Sequence, residues 1–224
     1  MSDTVITVQG TASDWFDAER ATVSVEVSHD GPKREPVFAA TTKVAAEVTT
    51  ALEELEGGAV TRWSSDRIRV WSNRPWNNEG VQLPPVYYAA LSATARFQDF
   101  DALAAFVERF STVTGVTIAG ISWDLTEERR LAVTSDIQAR AVQDATIKAT
   151  TYARAAGLAR VTAVAIADPG MLGDGSGAQP GFPAPQARGS AKMMMAMDAG
   201  APTLEFTPDR IEVSASVDAR FLAS

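Results

Sequence analysis

The chain closes on an unbroken alternation. Ile211, Val213, Ala215, Val217, Ala219 and Phe221 take turns with Arg210, Glu212, Ser214, Ser216, Asp218 and Arg220. A period of two places the apolar side chains on one side of an extended segment and the polar ones on the other, the pattern of a half-buried strand. "ATVSVEV" repeats it, with Ala21, Val23, Val25 and Val27 against Thr22, Ser24 and Glu26. Further strands are expected at Thr4–Val8, Val60–Ser72 and Val86–Phe97, and within "GVTIAGISWDL" and "RVTAVAIAD". "SDWFDAE" (Ser13–Glu19) interrupts the first strand pattern, and "HDGP" (His29–Pro32) reads as a turn. Gly120 is expected to mark a bulge or a close backbone approach.

Between the strands the period changes to that of a helix. From about Pro36 to Leu55, Val37, Thr41, Val44, Val48, Leu52 and Leu55 recur at steps of three or four. "EGG" ends this helix, glycine being suited to the left-handed cap. "DFDALAAFVERF" is a shorter helix with Asp99 as N-cap. The longest helix is expected from about Glu127 to Ala156, with Ile137, Ala141, Ala145, Ala149, Tyr152 and Ala156 on one stripe. Most of these are alanine, which lets a helix sit close against a sheet; "GL" then caps it. The order strand–helix–strand–strand–helix–strand from Ala21 to Leu125 resembles a split βαβ unit. The fold class expected is α+β, helices layered on one face of a mainly antiparallel sheet that the later elements extend. No shift in composition divides the chain, so one domain over 1–224 is expected, with 169–207 as an extended loop or assembly arm.

At 224 residues and 46% hydrophobic content, the chain can build a substantial core. Its formal net charge of -8 argues against nucleic acid, whose binding rests on phosphate neutralisation by Lys and Arg. Cysteine is absent, which removes disulfides, thiolate metal sites and cysteine nucleophiles together. "MSDTVITVQG" has no basic and apolar leader pattern, and no run approaches the roughly 20 apolar residues of a membrane span. These features predict a cytoplasmic protein.

Little in the chain suggests catalysis, and it is expected not to be an enzyme. The single histidine, His29, sits between Ser28 and Asp30, but neighbours on an extended chain point apart, whereas a triad converges. The acidic pair Glu127 and Glu128 suits a helix start, and Glu53, Glu54 and Glu56 suit a solvated helix face. "GDGSGAQPG" (Gly173–Gly181) is followed by prolines rather than by the helix a phosphate loop requires. "RVWSNRPW" interleaves Arg69 and Arg74 with Trp71 and Trp76, a mixture able to stack on bases or sugars, or to pack under a loop or a neighbouring subunit.

From Pro169 to about Thr207 periodicity stops. Met193, Met194, Met195 and Met197 cluster there among Gly, Ala, Ser and Pro. Four thioethers so placed could hold Cu(I), enter a membrane surface, or lie without a partner. The favoured reading is burial against another subunit or back over the chain's own sheet, because methionine adapts to irregular apolar surfaces. Membrane association is the weaker reading, since "AKMMMAM" is short and carries one lysine.

Several strings, in their order, resemble the SIMPL domain family, named for a signalling molecule that associates with a pelle-like kinase and including bacterial periplasmic and outer-membrane immunogenic proteins. They are "ITVQG" with "ATVSVEV", "FQDFDALAAFVERF" with "GVTIAGISWDL", "ARAVQDATIKATTYARAAGL", and "TPDRIEVSASVDARF". The resemblance implies an α+β fold, a tendency to self-assemble, export of many members and no catalytic residues to carry over. The expectation is a non-catalytic homo-oligomer without cofactor, its partner being itself, with Met193, Met194, Met195, Met197, Trp71 and Trp76 at contacts. The alternative is a module that binds a small ligand, a metal or a signalling partner through the Met-rich loop.

Overall fold

The computed structural model describes residues 3–172 and 206–224. Their elements run in the order β1 (Thr4–Phe16), β2 (Arg20–Gly31), α1 (Arg34–Leu55), β3 (Val60–Ser65), β4 (Arg69–Asn73), β5 (Val86–Phe97), α2 (Phe100–Ser111), β6 (Val116–Asp124), α3 (Glu127–Ala155), β7 (Val161–Ala167) and β8 (Ile211–Ala223). They form an α+β fold in which every strand pairing within the two sheets is antiparallel. They divide into two compact units, one of residues 3–17, 125–172 and 210–224, the other of 18–124 and 206–209.

The second of these units holds a five-stranded sheet in the order β3-β5-β2-β6, with β4 also paired to β5. Because β5 lies between β2 and β3, the β2–α1–β3 crossover is the split βαβ arrangement expected from the order of elements. The expected strand over 60–72 is two strands, β3 and β4, both laid along β5. Alternation sets the packing. Val23, Val25 and Val27 of β2 and Ala93, Ala95 and Phe97 of β5 are buried, and they meet Val48 and Leu52 of α1 and Leu103, Phe106 and Phe110 of α2. Asp99 caps α2 as expected, accepting from the backbone N–H groups of Asp101 and Ala102, each at 3.0 Å. Glu56 is the C-cap of α1, and Gly57 just beyond it takes φ 78°, the left-handed conformation anticipated for "EGG", within the turn that the Gly58 N–H closes onto the Leu55 carbonyl at 3.2 Å. The register of β2 on β6 shifts at Ser24/Val25, opposite Gly120 and Ile118, so Gly120 does adjoin a bulge.

His29 is not a turn residue. β5 offers partners as far as Tyr87, and β2 therefore stays extended to Gly31, with His29 opposite Ala89. Its Nδ1 lies 3.3 Å from Thr41 Oγ1. Its ring packs against Gly115, where φ is 87° and a Cβ would collide with the imidazole.

The other unit is a three-stranded sheet, β1-β8-β7, covered by α3. The elements after β6 thus join β1 in a sheet of their own instead of extending the first. β1 is also longer than its composition suggested. The alternating β8 supplies a partner from Thr4↔Ala223 to Phe16↔Ile211, which draws Ser13–Phe16 into the ladder. The buried face of α3 is Val133, Ile137, Ala141, Ala145, Ala149 and Ala153. The stripe moves to Ala153 in the last turn and leaves Tyr152 56% exposed. Ala156 is the C-cap residue rather than part of the stripe.

Beneath that stripe lies Gly10. A Cβ there would stand 2.7 Å from the Ala145 nitrogen and 2.8 Å from its Cβ, and closer still to the Ala141 carbonyl oxygen. Two of these three atoms are backbone, so no side chain can rotate away to make room. Gly10→Ala is expected to cost about 3 kcal/mol of unfolding free energy through overpacking. Gly120→Ala, whose Cβ would meet nothing within 4 Å, should stay within about 0.5 kcal/mol of wild type. Urea denaturation of the two variants beside wild type measures both.

Candidate interaction surface

β4 and β5 pair from Arg69↔Ala90 to Asn73↔Val86. Val70 and Ala89 turn inward, which sends Arg69, Trp71 and Tyr88 to the opposite face. Trp71 and Tyr88 stack there with ring centroids 5.4 Å apart and an interplanar angle of 13°. The Arg69 guanidinium carbon sits 4.5 Å from the Trp71 ring centroid. Such a stack contributes about 0.5–1.5 kcal/mol beyond its buried area. Both contacts use ring surface that an external base or sugar would otherwise take.

The segment joining the two strands is ordered by one side chain. Asn77 Oδ1 accepts from the backbone N–H of Glu79 at 3.0 Å and of Val81 at 2.8 Å. The Asn77 N–H donates to the Val81 carbonyl at 2.9 Å, and the Gly80 N–H donates to the Asn77 carbonyl at 3.1 Å. Gly80 accommodates the turn at φ 76°. The Leu83 N–H then donates to the Pro75 carbonyl at 2.8 Å, and Trp76 bridges Gln82. Asparagine organises such turns because its short carbonyl reaches backbone N–H groups two to four residues on. The result is an apolar tip: Trp76 is 66% exposed, Val81 55% and Leu83 39%.

A different solution holds at the outer edge of β1. Asp144 of α3 accepts from the Thr11 N–H at 2.8 Å, and Lys148 Nζ donates to the Gln9 carbonyl at 3.0 Å. The two side chains pair with each other at 2.7 Å, and Arg140 reaches Asp14 at 2.8 Å. Backbone groups that a foreign strand would need are thereby taken. Lys148 and the Thr11 N–H hold the Asp144 carboxyl below the ordinary aspartate range. Arg140 does the same for Asp14, helped by the Trp15 N–H.

The SIMPL family model, described as a protein of unknown function (DUF541), matches residues 6–221. The chain belongs to the SIMPL family. No curated protein matches it. Among solved structures, an amidase of the hydantoinase/carbamoylase family from Burkholderia phymatum is similar at 15% identity and a TM-score of 0.26, over 58% of this chain and 36% of its own. That likeness carries no inference.

In this SIMPL chain the structure brings two of the expected contact residues, Trp71 and Trp76, into one hairpin, joined by Val81 and Leu83, which the sequence reading did not single out. Met193, Met194, Met195 and Met197 lie outside the described residues, as does Gly173–Gly181. Ser28 and Asp30 alternate with His29 along β2 and so do not converge on it. Among the described residues no group of three or more His, Asp or Glu could hold a metal, and no helix is long and apolar enough to cross a membrane.

The depressed carboxyls set a pH dependence. A folded-state pKa below the unfolded value of 3.8 contributes stability that is fully present above that value and is lost as pH falls through the folded pKa. Asp144→Asn should therefore unfold more readily than wild type at neutral pH. The difference should close as pH drops below about 4. Thermal melts across that range check it.

Proposed function

We propose that this chain is a non-catalytic protein that assembles with further copies of itself, and that the β4–β5 hairpin is one of its contacts. The observation that carries this reading is the hairpin tip. Trp76, Val81 and Leu83 are exposed together on a turn fixed by Asn77, so their burial in an interface would cost little ordering of the backbone. Tryptophan is prominent among residues that dominate interface energies, because it presents a large, stiff, partly apolar surface. A single histidine and no cysteine leave few side-chain sets for catalysis. The Met193–Met197 run would add a second adaptable surface.

Light scattering on the full chain tests the proposal. Wild type is expected as a multiple of its 23.8 kDa chain mass. Trp76→Ser combined with Leu83→Ser is expected to dissociate it while circular dichroism stays unchanged. Replacing residues 173–205 with a short Gly/Ser linker probes the methionine contribution separately. A monomeric wild type would overturn the assembly reading; a double variant of undiminished mass would remove the hairpin from it.

A further inference from the structure

The outward face of the five-stranded sheet carries a feature separate from the hairpin tip. The register of β3 on β5 shifts between Val60 and Arg62. Val60 lies opposite Phe97, Arg62 opposite Arg96, and Trp63 opposite Ala95. Without the extra residue, Thr61 would stand opposite Arg96 and Arg62 would turn toward the core. The bulge instead sets two guanidinium side chains on adjacent strands, at positions whose Cβ atoms are about 5 Å apart. Like charges directly opposite on paired strands are unfavourable, and bulges recur where a strand re-aims a side chain beside a site.

Besides Trp63 and Ala95, the side chains around the pair are hydroxyls, each able to donate. Arg62 and Arg96 share a groove of about 180 Å³ with Thr22, Ser64 and Thr94, and no carboxylate lines it. Thr22 lies opposite Arg96 on the other neighbouring strand. Ser64 Oγ and Thr94 Oγ1 are 3.0 Å apart and share one hydrogen bond, which leaves the second hydroxyl proton for another acceptor. Among the described residues neither arginine has an acidic partner within salt-bridge distance. A chain with 28 acidic and 20 basic side chains has thus kept acids out of one cleft and placed two cations in it.

We propose that this groove binds a phosphate dianion, either free or as the terminal group of a phosphomonoester. Two planar guanidinium forks match the charge and the oxygen geometry of a tetrahedral dianion. The hydroxyls supply directional donors to the remaining oxygens. A bound dianion also neutralises the Arg62–Arg96 repulsion, so binding and folding reinforce one another.

Isothermal titration of the full chain at fixed ionic strength tests this, with inorganic phosphate and glycerol phosphate as separate arms. Saturation in the range of about 1 mM or tighter is expected in at least one arm. Binding in both arms identifies a phosphoryl group as the recognised element; binding of inorganic phosphate alone identifies the free ion. Arg62→Gln and Arg96→Gln should each weaken binding by about tenfold or more. Lys43→Gln, the same loss of charge on the exposed side of α1, should leave it unchanged. Circular dichroism and the melting temperature in chloride establish that each variant is folded. No saturation in either arm would overturn the proposal. So would arginine variants that bind like wild type, or a Lys43→Gln variant that loses as much affinity as they do.

Discussion

The approach of α3 to β1 at Gly10 sets the architecture of its unit. Helices ordinarily stand off a sheet by the bulk of their side chains. Here alanines at steps of four from Ala141 to Ala153 face a strand position with no side chain at all, and backbone comes near backbone. Apolar area buried per residue is small along such a stripe, roughly 0.8 kcal/mol per CH₂ group. What the stripe supplies is proximity. Asp144 has one of the shortest charged side chains, yet it reaches the Thr11 N–H across the helix–strand gap. Lys148, one turn further on, reaches the Gln9 carbonyl. A helix held further off by leucines would bury more surface and leave those edge groups open.

Edges follow a consistent logic through both sheets. β1 has 13 residues, the length at which an unprotected edge invites pairing with another chain, and it is the edge that α3 closes with side chains. The other edges are short or irregular. β3 and β4 have 6 and 5 residues, and the registers of β3, β6 and β7 all shift. Bulges also redirect side chains. In β3 the shift keeps Trp63 packed against the core, with its indole N–H donating to exposed Glu56 at 3.2 Å, while it moves Arg62 outward. One inserted residue therefore serves packing on one face and places charge on the other.

Local periodicity made much of this legible. The three helices, the split βαβ order, the Asp99 cap and the left-handed Gly57 after α1 all follow from spacings of a few residues. Features that depend on partners distant in the chain were not legible. "SDWF" reads as a break because Asp14 interrupts its apolar pattern, and only the ladder to Ile211–Ser214 makes it strand. The separation of β1, β7 and β8 into their own sheet leaves no local mark, because a half-buried strand has the same period in either sheet. Trp71 and Trp76 stood out by composition, but Val81 and Leu83 join them only through the turn that Asn77 builds. Arg62 and Arg96 are 34 positions apart in sequence, and a one-residue bulge decides whether they meet.

The same edge logic bears on how copies of this chain would meet. Strand addition needs a run of free backbone donors and acceptors on a flat edge, and β1, the longest candidate, has its central groups taken. The remaining edges offer few consecutive groups before a bulge or a chain reversal. Association is then left to side chains, and the requirement becomes a stiff apolar projection rather than an open ladder. The Asn77 turn would meet it: three apolar side chains stand on backbone whose N–H groups at Asn77, Glu79, Gly80, Val81 and Leu83 already bond within the segment, so burial of the tip would leave few amides unsatisfied. At the other end of β5, charge and hydroxyls replace aromatic surface. A second copy laid over the Arg62–Arg96 end would bury two unneutralised cations, which costs several kcal/mol per ion unless a counter-charge is present. The proposed self-contact and the proposed anion groove therefore sit toward opposite ends of β5.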